Sequence, residues 1–437
     1  MRIQTTFSKA IAALATAGIL YGCSNAAPSA NYVPPGSLQS SLKQSQSYGA
    51  SPASATSYYM LSLATLGGRP NNAVAINARN QITGFSWLKG NKIVRAELWR
   101  NYHPTDLGTL GGPDSGVVAF NHGTRGQFVG ASQASQTDPY AENFCGFITF
   151  TSQICLGFSW RYGKMTPLPT LGGNNSEAYD VNNRGQIVGV AETSVQDPSC
   201  KAPQVFDYSA VIWEPNGKVK TLPPLSGDTT GAAVSINRSG AAVGYSGPCS
   251  VIAHAVLWQN GSAIDLGNLG GSYSYGNVLN NRGQIVGYSY LPGNTAYHAF
   301  LWQNGTMSDL GTLPGDVNSQ ALGINDKGQV VGNSCNASSC RGFIWQNGTM
   351  TDLNQLIPPN RNLYVYQGGD INESGQIPGL GINRRGKFHA LVLIPGKMAA
   401  VLPTGVSTPP FAIPERPRLQ PRSTGAPGTL GKSIFSL

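Results

Sequence analysis

The sequence predicts an all-β fold, a seven-bladed β-propeller built from four-stranded blades. Three observations predict it. First, a phrase of the form I-N-x-x-G-Q-I-V-G recurs seven times, its closing glycine at Gly84, Gly130, Gly189, Gly244, Gly287, Gly332 and Gly379. Second, the spacings of 46, 59, 55, 43, 45 and 47 residues lie in the range of propellers and solenoids. Third, the repeat region starts and stops out of phase. It opens on a fourth strand, Tyr58 to Leu63, and closes on a third strand, Phe388 to Leu393. The N-terminus then supplies the outer strand that the last blade lacks. A ring closed in this way leaves no open edge, whereas an open solenoid would need capping units instead.

Each repeat divides into four short strands. The first ends in the I-N pair, as in Ala75-Ile76-Asn77, and the second is the G-Q-I-V-G run, as in Gly283 to Gly287. The third is an apolar run ending in Trp, such as His298-Ala299-Phe300-Leu301-Trp302, and the fourth alternates, as in Thr306 to Leu310. Asn-x-x-Gly joins first to second, as in Asn182-Asn183-Arg184-Gly185. Asn-Gly joins third to fourth at Asn260-Gly261, Asn304-Gly305 and Asn347-Gly348, where both central residues of a type I′ turn need positive φ. No segment keeps helical periodicity beyond two turns.

Outside the repeats, residues 1–22 read as an export signal. Arg2 and Lys9 precede the apolar run Ala10 to Leu20, which is too short to span a bilayer. It ends in Leu20-Tyr21-Gly22-Cys23, which resembles a bacterial lipobox, so Cys23 is the expected site of lipidation. An ordinary cleavage near Ala26 or Ala27 is the alternative. Ser24 after the cysteine implies, by resemblance to Gram-negative lipoproteins, sorting to the outer membrane or cell surface; periplasmic or secreted release is the other outcome. A lipid anchor needs no transmembrane helix. Residues 23–57 read as a disordered tether, 58–394 as the propeller and 395–437 as a disordered, Pro-rich basic tail.

Seven cysteines is an odd number for an exported chain. With Cys23 assigned to lipid, six remain. Proximity within the repeat frame suggests the pairs Cys145–Cys155, Cys200–Cys249 and Cys335–Cys340. The competing zinc site has no C-x-x-C pair and no histidine cluster. The net charge of +9 favours an anionic partner, but part of it sits in the signal segment and the tail. No basic stripe with interleaved aromatics appears, so specific nucleic-acid binding is not expected. Neither a cofactor nor a metal is expected, and the chain is expected to be a monomer.

The interval between the V-G glycine and the Trp separates scaffold from function. It is 15 residues for Gly84–Trp99, 30 for Gly130–Trp160 and 24 for Gly189–Trp213. The insertions fall between second and third strands, with the six cysteines. In a propeller those loops share one end with the blade-to-blade connectors, so variation on a rigid scaffold points to a binding face there. The candidate surface comprises 132–156, 191–208 and the L-G-G connectors. Trp87, outside the repeat position, and Asp114, Asp228 and Asp316, just after connectors, are its candidate ligand-face residues.

Other constellations carry less. His254, His298 and His389 stand at one repeat position on different blades and read as structural. His103 and His122 show no partner in the sequence. The repeated asparagines Asn77, Asn121, Asn182, Asn237, Asn280, Asn325 and Asn372 read as turn chemistry. The six repeat tryptophans read as core. Ala426 to Ser433 mimics a phosphate-binding loop but lacks the strand and helix that make one. No catalytic residue is assigned.

With His298-Ala299-Phe300-Leu301-Trp302, Asp106 to Gly112 and the G-Q-I-V-G runs, Leu66 to Leu393 resembles the HAF-repeat family of bacterial extracellular proteins. Gly157-Phe158-Ser159-Trp160 and His389-Ala390-Leu391-Val392 depart from its motif. The resemblance implies an exported repeat protein and carries over no catalytic residue. The expected function is a lipid-anchored envelope scaffold that binds a protein or glycan. The alternative is a polysaccharide-active lyase or hydrolase, with its site at the channel mouth.

Overall fold

A computed structural model describes residues 57–117, 119–146, 152–358 and 362–396. The expected signal segment, Cys23, the tether to residue 56, the tail beyond 396 and Ala426 to Ser433 lie outside the described residues. The chain forms seven four-stranded antiparallel sheets arranged as a seven-bladed propeller. The only helical turn among the described residues is a 3-10 turn at Leu353–Gln355.

Blade I holds β2 (Gly67–Ile76), β3 (Ile82–Leu88), β4 (Val94–Arg100) and β5 (His103–Asp106). Blade II holds β6 (Gly111–Gly116), β7 (Gln127–Thr137), β8 (Gln153–Arg161) and β9 (Lys164–Pro167). Blade III holds β10 (Gly172–Val181), β11 (Ile187–Gln196), β12 (Phe206–Trp213) and β13 (Val219–Thr221). Blade IV holds β14 (Thr230–Ile236), β15 (Ala242–Gly247), β16 (His254–Gln259) and β17 (Ser262–Asp265). Blade V holds β18 (Ser274–Leu279), β19 (Ile285–Tyr290), β20 (Tyr297–Gln303) and β21 (Thr306–Asp309). Blade VI holds β22 (Asn318–Ile324), β23 (Val330–Cys335), β24 (Cys340–Gln346) and β25 (Thr349–Asp352).

Blade VII is made from both ends of the chain. Its strands β26 (Leu363–Gly368), β27 (Ile377–Asn383) and β28 (Phe388–Pro395) are completed by β1 (Tyr58–Ser62), which pairs antiparallel with β28 from Tyr58↔Pro395 to Ser62↔Leu391. The out-of-phase ends of the sequence therefore have the role expected of them. Apolar faces of successive blades close on each other, as where Ala96 and Leu98 of blade I meet Phe128, Phe158 and Trp160 of blade II.

The glycine that ends each repeat phrase has a steric cause. The inner strand bulges beside it, as between Ala178 and Asp180, and turns a carbonyl onto the glycine's Cα. A Cβ on Gly189 would stand 1.9 Å from the Glu177 carbonyl oxygen, and one on Gly244 would stand 1.9 Å from that of Ala232.

The repeat asparagine does more than shape its turn. Asn182 Oδ1 accepts the amides of Arg184 and Gln186, as turn chemistry requires. Its Nδ2 also donates across to the Asn237 carbonyl in the next blade, at 3.0 Å. The same clasp runs from Asn237 to Asn280, Asn280 to Asn325, Asn325 to Asn372 and Asn372 to Asn77. It crosses the chain closure, so the two termini are joined at the axis as well as at the rim. Tryptophan makes a third tie: Trp99, Trp213 and Trp258 donate Nε1 to connector carbonyls at Ala64, Pro169 and Pro223.

Candidate functional site

Alternation of strand direction gives the propeller two unlike ends. First-to-second and third-to-fourth turns occupy one, the turn end. Second-to-third loops and connectors occupy the other, the insertion end. The cysteines pair there as expected: Cys145–Cys155 inside the blade II insertion, Cys335–Cys340 across the blade VI hairpin, and Cys200–Cys249 between blades III and IV.

The insertions of blades II and III are joined by buried polar groups. Glu142 Oε1 accepts the amides of Val205 and Phe206 across the blade boundary. Asn175 Nδ2 donates to Asp138 at 2.8 Å, Glu192 at 3.0 Å and Glu142 at 3.3 Å. The amide is held in that orientation because its Oδ1 accepts Cys155 N. All three carboxylates are buried. Burial, then the nearby Glu142, pushes Glu192 up to about 7, and burial raises Glu142 as well. The asparagine amide stands among these groups and ties them together as a strut.

A chain of tyrosines packs across blades IV and V, most of it buried. Tyr245 stacks on Tyr275 (5.2 Å), Tyr275 on Tyr288 (5.5 Å), and Tyr288 meets Tyr297 (5.4 Å), which meets Tyr290. Tyr179 donates to Glu177, whose carboxyl burial pushes up to about 8. Tyr273 packs edge-on against Tyr290 and is 38% exposed. Tyr140, Val195 and Val317 are exposed at the insertion end as well, so four of the six exposed large apolar side chains among the described residues gather there.

The four candidate ligand-face residues do not converge. Trp87 is a correction: it is buried against Phe85 and Val94, not presented to solvent. Asp114 is buried on the inner strand of blade II, accepting Val94 N at 2.8 Å. Asp228 holds His254 at 2.9 Å and accepts the Ser246 hydroxyl. Asp316 pairs with Arg341 at 2.8 Å. Three carboxylates on different blades, each engaged by a neighbour, make no acid–base pair. The repeat histidines are latches, as expected: His298 bonds Asp309, and His389 sits against Arg69 and Asn383.

One half-buried centre is built from side chains that sequence spacing does not bring together. His122, which shows no partner in the sequence, places Nδ1 2.8 Å from Asp180 Oδ2 and Nε2 3.8 Å from Asp370 Oδ2. Burial works against a charged imidazole, but Asp180 first and Asp370 second outweigh it and hold the ring well above its ordinary range. The signal was a length difference. Blade II reads Asn121-His122-Gly123-Thr124-Arg125-Gly126-Gln127 where blade III reads Asn182-Asn183-Arg184-Gly185-Gln186. Asn77 clasps the Gly123 carbonyl, so Gly123 and not Asn121 occupies the repeat asparagine's place in the ring. Gly123 has no side chain to pass the clasp on to blade III. His122 and Thr124 do so instead, through Asp180 and Asn183. The axial cavity beside His122 holds about 80 Å³. That is well below the roughly 300 Å³ of small-molecule pockets.

No family model matches the sequence, and no curated protein matches it. Among solved structures, the chain is similar to a gluconolactonase of Xanthomonas campestris at 11% identity, over 78% of this chain and 91% of that one, with TM-score 0.35. It is similar to TolB of Acinetobacter baumannii at 12% identity, over 72% and 64%, with TM-score 0.37. It is similar to virginiamycin B lyase of Staphylococcus aureus at 8% identity, over 77% and 88%, with TM-score 0.36.

Proposed function

We propose that the chain is an exported HAF-type repeat protein, anchored by lipid at Cys23 in the cell envelope, that binds a protein or glycan partner through its insertion end. The observation that carries the reading is the joining of two insertions into one unit. The Asn175–Glu142–Glu192 strut fixes the long loops of blades II and III to each other, and the Cys200–Cys249 bridge ties the second of them to the short loop of blade IV. Loops held in one shape lose little entropy on binding, which is the use of a pre-organised surface. The exposed Tyr140, Val195, Tyr273 and Val317 supply apolar contact on that surface. The alternative, a polysaccharide-active enzyme, would have to draw on groups other than Asp114, Asp228 and Asp316.

The test is glycan-array and pull-down screening with a variant carrying Tyr140→Ala, Val195→Ser, Tyr273→Ala and Val317→Ser. These side chains are exposed, so the fold is expected to survive and binding to fall at least about tenfold. Unchanged capture by the variant would overturn the reading. Deleting 133–154 is a poorer test, because it removes Glu142 and Cys145 from the strut and the bridge.

A further inference from the structure

The repeat phrase also distributes charge. The first-to-second turns of six blades each carry one exposed cation: Arg79, Arg125, Arg184, Arg238, Arg282 and Lys327. Seven-fold placement turns six scattered residues into a ring around the axis at the turn end. Three third-to-fourth turns add Arg100, Arg161 and Lys218 farther out, all exposed. Among the described residues, none of these nine makes an ion pair. Acidic groups at this end are few. Glu214, Asp326 and Glu373 are half-buried and accept bonds from Gln186 and from neighbouring turns. Asp180 and Asp370 are buried on His122. The insertion end instead intersperses Lys89, Arg384 and Arg385 with Asp106, Asp265 and Asp309.

The chain ends belong to the same side. β28 runs toward the turn end and β1 runs away from it, so Ser57 and Gly396 meet there, with Gly396 N donating to the Ser57 carbonyl at 2.9 Å. Everything before residue 57 and after residue 396 therefore departs from the basic end.

We propose that the turn end docks on an anionic lipid surface, which directs the insertion end away from the bilayer. Charge complementarity supplies the attraction: each Arg or Lys near an anionic leaflet contributes about 1 kcal/mol. The exit of both chain ends on that side selects a membrane over other polyanions, because an anchor attached before residue 57 draws this end toward the bilayer. A lipid anchor holds the chain at the bilayer but does not orient it, and a basic patch supplies that orientation. The choice of a membrane rests on the lipid anchor proposed at Cys23, and not on what the insertion end binds.

The test uses the full chain carrying Cys23→Ser, so that no lipid contributes, with vesicles of phosphatidylcholine containing about one third phosphatidylglycerol. Cosedimentation is expected with these vesicles and not with phosphatidylcholine alone, and is expected to vanish as salt rises from about 0.05 to 0.5 M. Changing all six ring cations to Gln should weaken binding at least about tenfold. A control with Lys89→Gln, Lys92→Gln, Arg384→Gln and Arg385→Gln should bind normally. If circular dichroism shows the six-fold variant unfolded, the triple variant Arg79→Gln, Arg184→Gln, Arg282→Gln should still bind measurably more weakly than the control. Full binding by the ring variant overturns the proposal. So does tighter binding to a double-stranded DNA oligonucleotide than to the anionic vesicles, which would make the ring a nucleic-acid surface.

Discussion

His122 and Asp180 meet at 2.8 Å across the boundary of blades II and III, the boundary that the asparagine clasp skips. One imidazole replaces there what an amide does elsewhere, and it adds a charge that the amide lacks. Asp180 also accepts Ser235 Oγ and Ile236 N of blade IV, so a single carboxylate ties three blades.

This junction should respond to pH. The folded state raises the His122 pKa, so its contribution is fully present below the unfolded value near 6.5 and is lost as pH rises through the raised folded value. The stability gap between wild type and His122→Gln should therefore be widest below about pH 6.5 and shrink in alkali. Asp180→Ala should cost about 1 to 3 kcal/mol, since the buried carboxylate holds the half-buried His122 ring together with Ser235 and Ile236. Thermal melts from pH 5 to 10 decide it, and a gap that stays constant would show that His122 acts by shape alone.

Glu97 is the opposite case, a polar group at an apolar place. It pairs with Gly84 in register, where other blades put Phe158, Phe300 or Phe343 beside the matching glycine. It is buried, and burial pushes its pKa up to about 9, with the Ser86 hydroxyl opposing only in part. A raised carboxyl pKa means that stability falls as pH climbs from the unfolded value through about 9. Glu97→Leu should raise stability by about 1 kcal/mol or more near pH 8, and the benefit should be smaller at pH 5. Denaturant melts at the two pH values check this. Destabilisation by Glu97→Leu at both would show that the carboxyl is held by something other than packing.

The disulfides should differ in worth. Cys200–Cys249 closes 49 residues and crosses a blade boundary, whereas Cys335–Cys340 closes 5 within one hairpin. Loop entropy alone puts the first about 2 kcal/mol above the second. Paired Cys→Ser variants, compared by denaturant midpoint, should preserve that order. If it reverses, the hairpin bridge is doing more than closing a loop.

Repeat periodicity made most of the fold legible. Strand number, turn types, the phase of the ends and all three cysteine pairs follow from spacing along one chain. What escaped depends on neighbours in the ring. Asn372 and Asn77 are 295 residues apart in sequence, and their clasp exists only because the ring closes. His122 looked solitary because its partners, Asp180 and Asp370, sit on two other blades. Trp87 looked available because sequence does not state which side of a strand faces a neighbouring blade. The six turn cations were visible one at a time, and no linear stripe joined them until the axis did.

The shared last blade imposes an order on synthesis. β1 is among the first folded segments to be made, yet its partner is complete only when Pro395 has been made. Until then β1 lacks its partner, since in the folded chain it pairs with β28 alone. A chain interrupted between Gly379 and Phe388 contains every repeat glycine and still lacks the strand that pairs with β1. The eight residues of β28 thus act as a completeness check, coupling the integrity of the message to the existence of the ring.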